Sequence, residues 1–246
     1  NKAKGVKRAL GESKRISSVL QTECDLDDAF SNHSDCYADV LYADIAEGFA
    51  GAALPTKMAK DYHLKALAPA DILYGWDLKS PDGQRRWRDM IMNEKPLAVI
   101  TGFKCTNFCI WNRTANYAKN RDKIEEAREG DRGMLKLMAW TMKYQLKHGR
   151  LFLFENPPGS GIWLESLIQE IRDLPGVLSA LGDMCQFGFV SDTTGLPILK
   201  KLRWMSNSAM LLMSVTPKCP GTHKHHPVQG KDTQPSQSYT PQLVHS

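Results

Sequence analysis

The chain has 246 residues, 42% of them hydrophobic and 24% charged, with a formal net charge of +5. This composition excludes collagen-like, fibrous and wholly disordered classes, and the length suffices for one sizeable hydrophobic core. No run reaches the roughly 18 apolar residues of a membrane span, and the lysine-bearing start lacks the apolar stretch of a secretory signal, so no membrane partner is expected.

Residues 1–38 read as a flexible charged leader, in which Lys2, Lys4, Lys7, Arg8, Lys14 and Arg15 are followed by Glu23, Asp25, Asp27, Asp28 and Asp35. Residues 39–230 read as one α/β domain, and residues 231–246 as a disordered polar tail with too few apolar groups to offset the entropy of ordering. Within the domain, a strand over 40–46 ends in a glycine bend at 48–51 and feeds a helix over 52–62. Strand-like segments within 65–78 end at Trp76-Asp77, and a helix follows over 82–93. A buried strand over 96–101 runs into Gly102, and Met134, Leu135, Met138 and Met142 stripe the later part of a helix over 119–148. A second buried strand, 151–154, stops at Asn156-Pro157-Pro158, because proline donates no ladder hydrogen bond. A helix over 164–174, a strand over 184–190 and a helix over 208–215 complete the series. Alternating strands and helices predict a Rossmann-like α/β fold, a mainly parallel sheet with helices on both faces.

In such sheets ligands bind outside the carboxyl ends of the strands, so the residues after each apolar run carry the information. Asp44, Glu47, Gly48 and Gly51 surround the first bend, where glycine lets a backbone approach a ligand; a plain turn explains the same residues. Asp77 ends the next segment and Asp71 stands before it, as acids for a ribose or adenine edge or as helix caps. Cys105 follows the 96–101 strand, where Lys104 or a helix terminus lowers a thiol pKa and makes a nucleophile; the alternative is a half-buried structural cysteine. Glu155 is the lone acid of a strongly apolar run, placed at its end.

In their order and spacing these loops resemble the catalytic domain of DNA cytosine 5-methyltransferases. Residues 44–51, DIAEGFAG, are similar to that family's D-L-F-x-G-x-G-G, and Gly75-Trp76-Asp77-Leu78 to its G-D-I. Lys104-Cys105-Thr106-Asn107-Phe108-Cys109 is similar to P-C-Q-x-F-S, with lysine in place of proline and Thr106-Asn107 in place of glutamine. Glu155-Asn156-Pro157 resembles E-N-V, and Lys200-Lys201-Leu202-Arg203 loosely resembles Q-x-R-x-R. The resemblance implies Cys105 and Glu155 as catalytic residues. It implies a possible cofactor, S-adenosyl-L-methionine, held by Asp44, Glu47, Gly48, Gly51 and Asp77, and nucleic acid contacted by Asn156, Pro157, Lys201 and Arg203. The chain is also similar to methyltransferase-like modules of retroelement polyproteins, in the Glu155-Asn156-Pro157-Pro158 stretch, in residues 184–188 and 193–197, and in Cys219-Pro-Gly-Thr-His223-Lys-His225. That likeness implies a piece of a mobile-element polyprotein.

Other readings compete. A catalytically inactive Rossmann module binding DNA or RNA agrees with the basic residues Lys200, Lys201, Arg203 and Lys218 and with Trp111, Trp163 and Trp204 as stacking platforms. An amino-methyltransferase N-P-P-Y loop lacks its aromatic at Gly159, and a nicotinamide oxidoreductase lacks a G-x-G-x-x-G. No metal is expected, although Cys185, Cys219, His223 and His225 are of zinc-ligating type at a spacing that fits no standard signature. The six cysteines, Cys24 and Cys36 among them, are too sparse for a disulfide scaffold, which predicts an intracellular (nuclear or cytoplasmic), non-secreted protein.

Overall fold

The computed structural model describes residues 42–246, and the charged leader expected over 1–38 lies outside them. The described residues belong to one compact unit. Among them, no helix is long and apolar enough to cross a membrane.

The main sheet has five strands: β1 (Ile45–Gly48), β2 (Ala98–Gly102), β3 (Leu151–Asn156), β4 (Leu178–Asp183) and, after the short β5 (Ile198–Leu199), β6 (Lys201–Ser206). Their order is β1-β2-β3-β6-β4. β1 and β2 pair in parallel, as do β2 and β3, whereas β6 is antiparallel to both its neighbours, β3 and β4. Four strands therefore run one way and β6 runs against them. The sheet is thus mainly parallel, as expected, and is made mixed by the antiparallel β6. β5 pairs in parallel with β7 (His226–Pro227) in a separate two-stranded sheet.

Both faces of the sheet are covered because side chains alternate along each strand. Phe152, Phe154 and Met205 point into one core with Trp87 and Ile91 of α2 (Pro81–Glu94), Leu135 and Met138 of α3 (Tyr117–Lys147), and Ile168 and Ile171 of α4 (Ser166–Arg172). Leu153 and Trp204, one position along, point into the opposite core with Leu212 and Val215 of α5 (Ala209–Val215). The remaining helices are α1 (Leu54–Met58), which follows the first bend, and α6 (Pro241–His245). Local chemistry fixes the helix starts. The Ser80 hydroxyl accepts from Gly83 N before Pro81 opens α2, and Ser208 accepts from Leu211 N at α5. α3 is interrupted at Asn120, whose φ of −134° is not helical.

Three expectations change. Residues 184–190 are not a strand: Met184–Phe187 is a 3₁₀ turn, and the strand lies just before it at β4. Residues 65–78 form no strand: they give isolated bridges, Ala66 to Ile45 and Ala70 to Gly48, on either side of Pro69, which lacks a backbone donor, and then the 3₁₀ turn Ile72–Tyr74. Residues 231–246 hold 3₁₀ turns and α6, with Asp232, Ser236 and Leu243 buried. Their scarcity of apolar groups is offset by hydrogen bonds. Ser191 Oγ donates to Asp232 Oδ2 at 2.8 Å, Thr240 Oγ1 donates to Phe187 O at 2.7 Å, and Lys200 Nζ donates to Ser236 O.

Candidate functional site

The carboxyl ends of β1, β2 and β3 lie side by side, with Gly48 opposite Thr101 and Gly102 opposite Glu155. Because β6 runs the other way, its first residues reach the same edge: Arg203 pairs with Asn156, and Lys201 with Asp183 at the end of β4. Loops far apart in the chain thus converge on one rim.

Glu155 is the centre of this rim. Its Oε2 is enclosed without a hydrogen-bond partner, and Oε1 lies 2.8 Å from where a β-carbon on Gly102 would stand. Burial pushes its pKa up to about 7, opposed by the positive charge of Lys200. Burial likewise lowers the pKa of Lys200, while Glu155 and Cys105 act to raise it. The Tyr239 hydroxyl, close to the same carboxylate, is pushed well above its ordinary value by burial, then by the charges of Glu155 and Glu47.

Cys105 caps the 3₁₀ turn Thr106–Phe108 just beyond β2 and is a half-buried free thiol. Its pKa is raised, first by burial and then by the negative charge of Glu155, with Lys200 acting in the opposite sense. Cys105, just beyond the end of β2, and Glu155, opposite Gly102 on β3, thus stand at the carboxyl ends of neighbouring strands. The expected activation by Lys104 does not occur, because the Lys104 ammonium turns away to Asp131 at 2.9 Å. Asp131, fully buried on α3, also meets Lys79 at 3.3 Å and accepts from Asn107 Nδ2 at 2.7 Å. It pins the Cys105 loop to the helix beneath it. Asn156 supports the loop from the other side, donating from Nδ2 to Phe103 O at 2.6 Å, while Pro157 O accepts from Trp163 Nε1.

Around the first bend the expected residues divide. Glu47 is buried and accepts from Thr56 N and Oγ1, at 3.0 and 2.7 Å, so it ties the bend to α1; burial raises its pKa despite these bonds. Gly48 packs closely, since a β-carbon there would stand 3.0 Å from the Trp87 ring. Gly51, at φ +51°, borders open space and donates its amide to Asp71 Oδ2. Asp44 lies before β1, at the opposite end from the rim, and accepts from Lys65 N at 2.6 Å. Asp71 caps the turn Ile72–Tyr74, and Asp77 accepts from Lys79 N just before α2.

On the basic side, Lys201 is exposed and 3.7 Å from Asp183, and Arg203 lies over the Trp163 ring. Trp163 and Trp204 are buried and unable to stack on a base, whereas Trp111 is 66% exposed. Sequence reasoning placed neither Lys200 nor Tyr239 at the carboxylate. Alternation along the Lys200-Lys201 pair, one lysine inward and one outward, was the signal for the first, and the lone aromatic of residues 231–246 was the signal for the second. No protein-family model matches the chain, and no curated protein matches it.

Proposed function

We propose that this is a methyltransferase-like module of Rossmann-like fold that acts on cytosine in nucleic acid with S-adenosylmethionine, of the kind found in mobile-element polyproteins. The observation that carries the reading is the placement of Cys105 and Glu155 at the adjacent carboxyl ends of β2 and β3. With a pKa of about 7, Glu155 is substantially protonated at neutral pH and presents a hydrogen-bond donor to a base edge. A neutral Glu155 also removes the charge that disfavours the Cys105 thiolate. The thiolate then adds to the ring of a flipped-out cytosine, the ring carbon so activated would take the methyl group the cofactor supplies, and the thiolate is expelled once a base removes the proton from that methylated carbon.

The residues at the first bend fit the cofactor in part. Gly51 and its open surroundings, with Asp77 before α2, would hold it, whereas Glu47, buried and bound by Thr56, and Asp44 serve the scaffold. When bound, the cofactor supplies an electrophilic methyl group. Lys201 and Arg203, on the same rim, supply positive charge for a phosphate backbone.

A second reading, a catalytically inactive module that binds DNA or RNA, draws on another observation. Gln237, Ser238 and Tyr239 close over Glu155 and Lys200 and leave only a small pocket there. Transfer of labelled methyl groups to mixed DNA and RNA, compared among the intact protein, Cys105→Ala and Glu155→Gln, separates the two. Transfer lost in both variants supports the enzyme; transfer unchanged in both removes the site assignment. Nucleic-acid binding without transfer, and without calorimetric binding of S-adenosylmethionine, leaves the inactive module.

A further inference from the structure

At the β4 end of the rim, four side chains from two separate segments converge. Cys185 lies in the turn that follows β4, and Cys219, His223 and His225 lie in the connection between α5 and β7. One ligating atom from each, two sulfurs and two nitrogens, falls within 4.8 Å of every other. Cys219 Sγ is 3.5 Å from His223 Nε2 and 3.5 Å from His225 Nε2, and the two Nε2 atoms are 2.9 Å apart.

These spacings are close to those of a tetrahedral metal site. Zinc–sulfur bonds of about 2.3 Å and zinc–nitrogen bonds of about 2.0–2.1 Å, at the tetrahedral angle, place sulfur about 3.6 Å from nitrogen and the two nitrogens about 3.3 Å apart. The two Cys219 sulfur–nitrogen distances already agree, the imidazoles need to separate by only a few tenths of an ångström, and the Cys185 sulfur lies within 4.8 Å of the other three atoms. Hydrogen bonding alone accounts poorly for the cluster. Both histidines turn the same ring nitrogen toward each other and toward the same sulfur, so one nitrogen is asked to serve two partners with a single proton or lone pair.

The surroundings suit a thiolate ligand. Gly221 N approaches Cys219 Sγ at 3.3 Å, a backbone dipole that favours negative sulfur, and Gly221 at φ +74° makes the turn that brings His223 back onto Cys219. Cys219 N donates to Asp183 Oδ2 at 2.9 Å, which holds the ligand loop against the end of β4.

We propose that Cys185, Cys219, His223 and His225 bind one structural zinc ion. Two thiolates and two neutral imidazoles give a closed, charge-neutral shell of the type that selects zinc. The ion joins the end of β4 to the segment leading into β7. β7 pairs with β5, and β5 runs directly into Lys200. The metal thereby braces the strand pair from which Lys200 reaches toward Glu155, and this role does not depend on the methyltransferase reading.

The test uses the intact chain purified without chelator, in the wild type and in the Cys185→Ser, Cys219→Ser, His223→Asn and Cys109→Ser variants. Elemental analysis is expected to find one zinc per wild-type and Cys109→Ser chain, and far less than one in the three ligand variants. Replacing zinc by cobalt is expected to give intense tetrahedral d–d bands and thiolate charge-transfer absorption. Adding zinc to chelator-treated wild type is expected to raise the melting temperature, with no such rise for the ligand variants. A ligand variant that melts where chelator-treated wild type melts is folded and metal-free, which separates loss of the site from loss of the fold. Absence of stoichiometric metal, metal retained in Cys219→Ser, or a Cys185–Cys219 disulfide in the reduced preparation would each overturn the assignment.

Discussion

Gly102 lies so close to Glu155 that a β-carbon on the glycine would stand 2.8 Å from Oε1, with the Tyr239 hydroxyl 3.6 Å away on the same side. The carboxylate is thus shaped by the absence of a side chain on the neighbouring strand. Gly102→Ala is expected to fold but to cost about 1–3 kcal/mol, because Glu155 has to leave its niche among groups that are themselves packed. Gly130→Ala is the contrasting case, since nothing lies within 4 Å of its β-carbon position inside α3. It is expected to stabilise by about 0.5–1 kcal/mol. Urea unfolding of both proteins at one pH reads the difference in sign.

The pKa of Glu155 makes stability depend on pH. Its folded value of about 7 lies above the ordinary 4.5, so between these values the unfolded chain binds fewer protons than the folded one. Stability attributable to this group is fully present below about pH 4.5 and is lost as pH rises through about 7. The span corresponds to at most about 3 kcal/mol. Glu155→Gln, neutral at every pH, is expected to flatten that part of the profile and to be relatively more stable than wild type at pH 8. Denaturation midpoints from pH 5 to 8 check it, and parallel profiles for the two proteins would contradict a raised Glu155.

What the sequence revealed follows physical lines. β2 and β3 were legible because strands covered on both faces read as unbroken apolar runs, and Glu155 and Cys105 stood out because the first directly follows such a run and the second lies in the loop just after one. β4 and β6 were not. β4 begins with exposed Leu178 and Ser179 at the sheet edge, and β6 opens with the charged Lys201, so neither shows an apolar block. Lys200 and Tyr239 reach Glu155 only through the antiparallel insertion of β6 and the folding back of residues 231–246, both contacts of long sequence separation. Asp131 left a local trace, because it stands three and four residues before Met134 and Leu135, on the apolar stripe of α3, where an acid needs partners.

Asp131 is expected to govern the mobility of the Cys105 loop. Asp131→Asn removes the carboxylate that meets Lys104 and Lys79 and accepts from Asn107, and it is expected to cost about 1.5–3 kcal/mol, the range for hydrogen bonds to a charged group. Lys79→Ala is expected to cost less than about 1 kcal/mol, because that lysine is 53% exposed and its ion pair is solvent-screened. Alkylation of Cys105, followed by mass spectrometry, is expected to be several-fold faster in Asp131→Asn than in Lys79→Ala. Equal rates would mean that the loop is held by Asn156 and by Arg128, whose Nε donates to Asn107 O at 3.0 Å.

A last expectation concerns the join between α2 and α3. Trp87 Nε1 donates to Thr141 Oγ1 at 2.8 Å in a fully buried contact, and the same hydroxyl donates on to Leu137 O at 2.9 Å. The Trp87 ring also sets the closest approach to Gly48, so this contact helps to position the first bend. Thr141→Val keeps the shape but leaves the indole N–H buried without an acceptor, at a cost of about 1–3 kcal/mol. Trp87→Phe removes the donor but opens space beside Gly48. If the hydrogen bond is the main coupling, Thr141→Val is expected to cost markedly less in the Trp87→Phe background than in wild type, because no orphaned donor remains. A double-mutant cycle on unfolding free energies measures this directly, and strictly additive effects would assign the join to packing rather than to the bond.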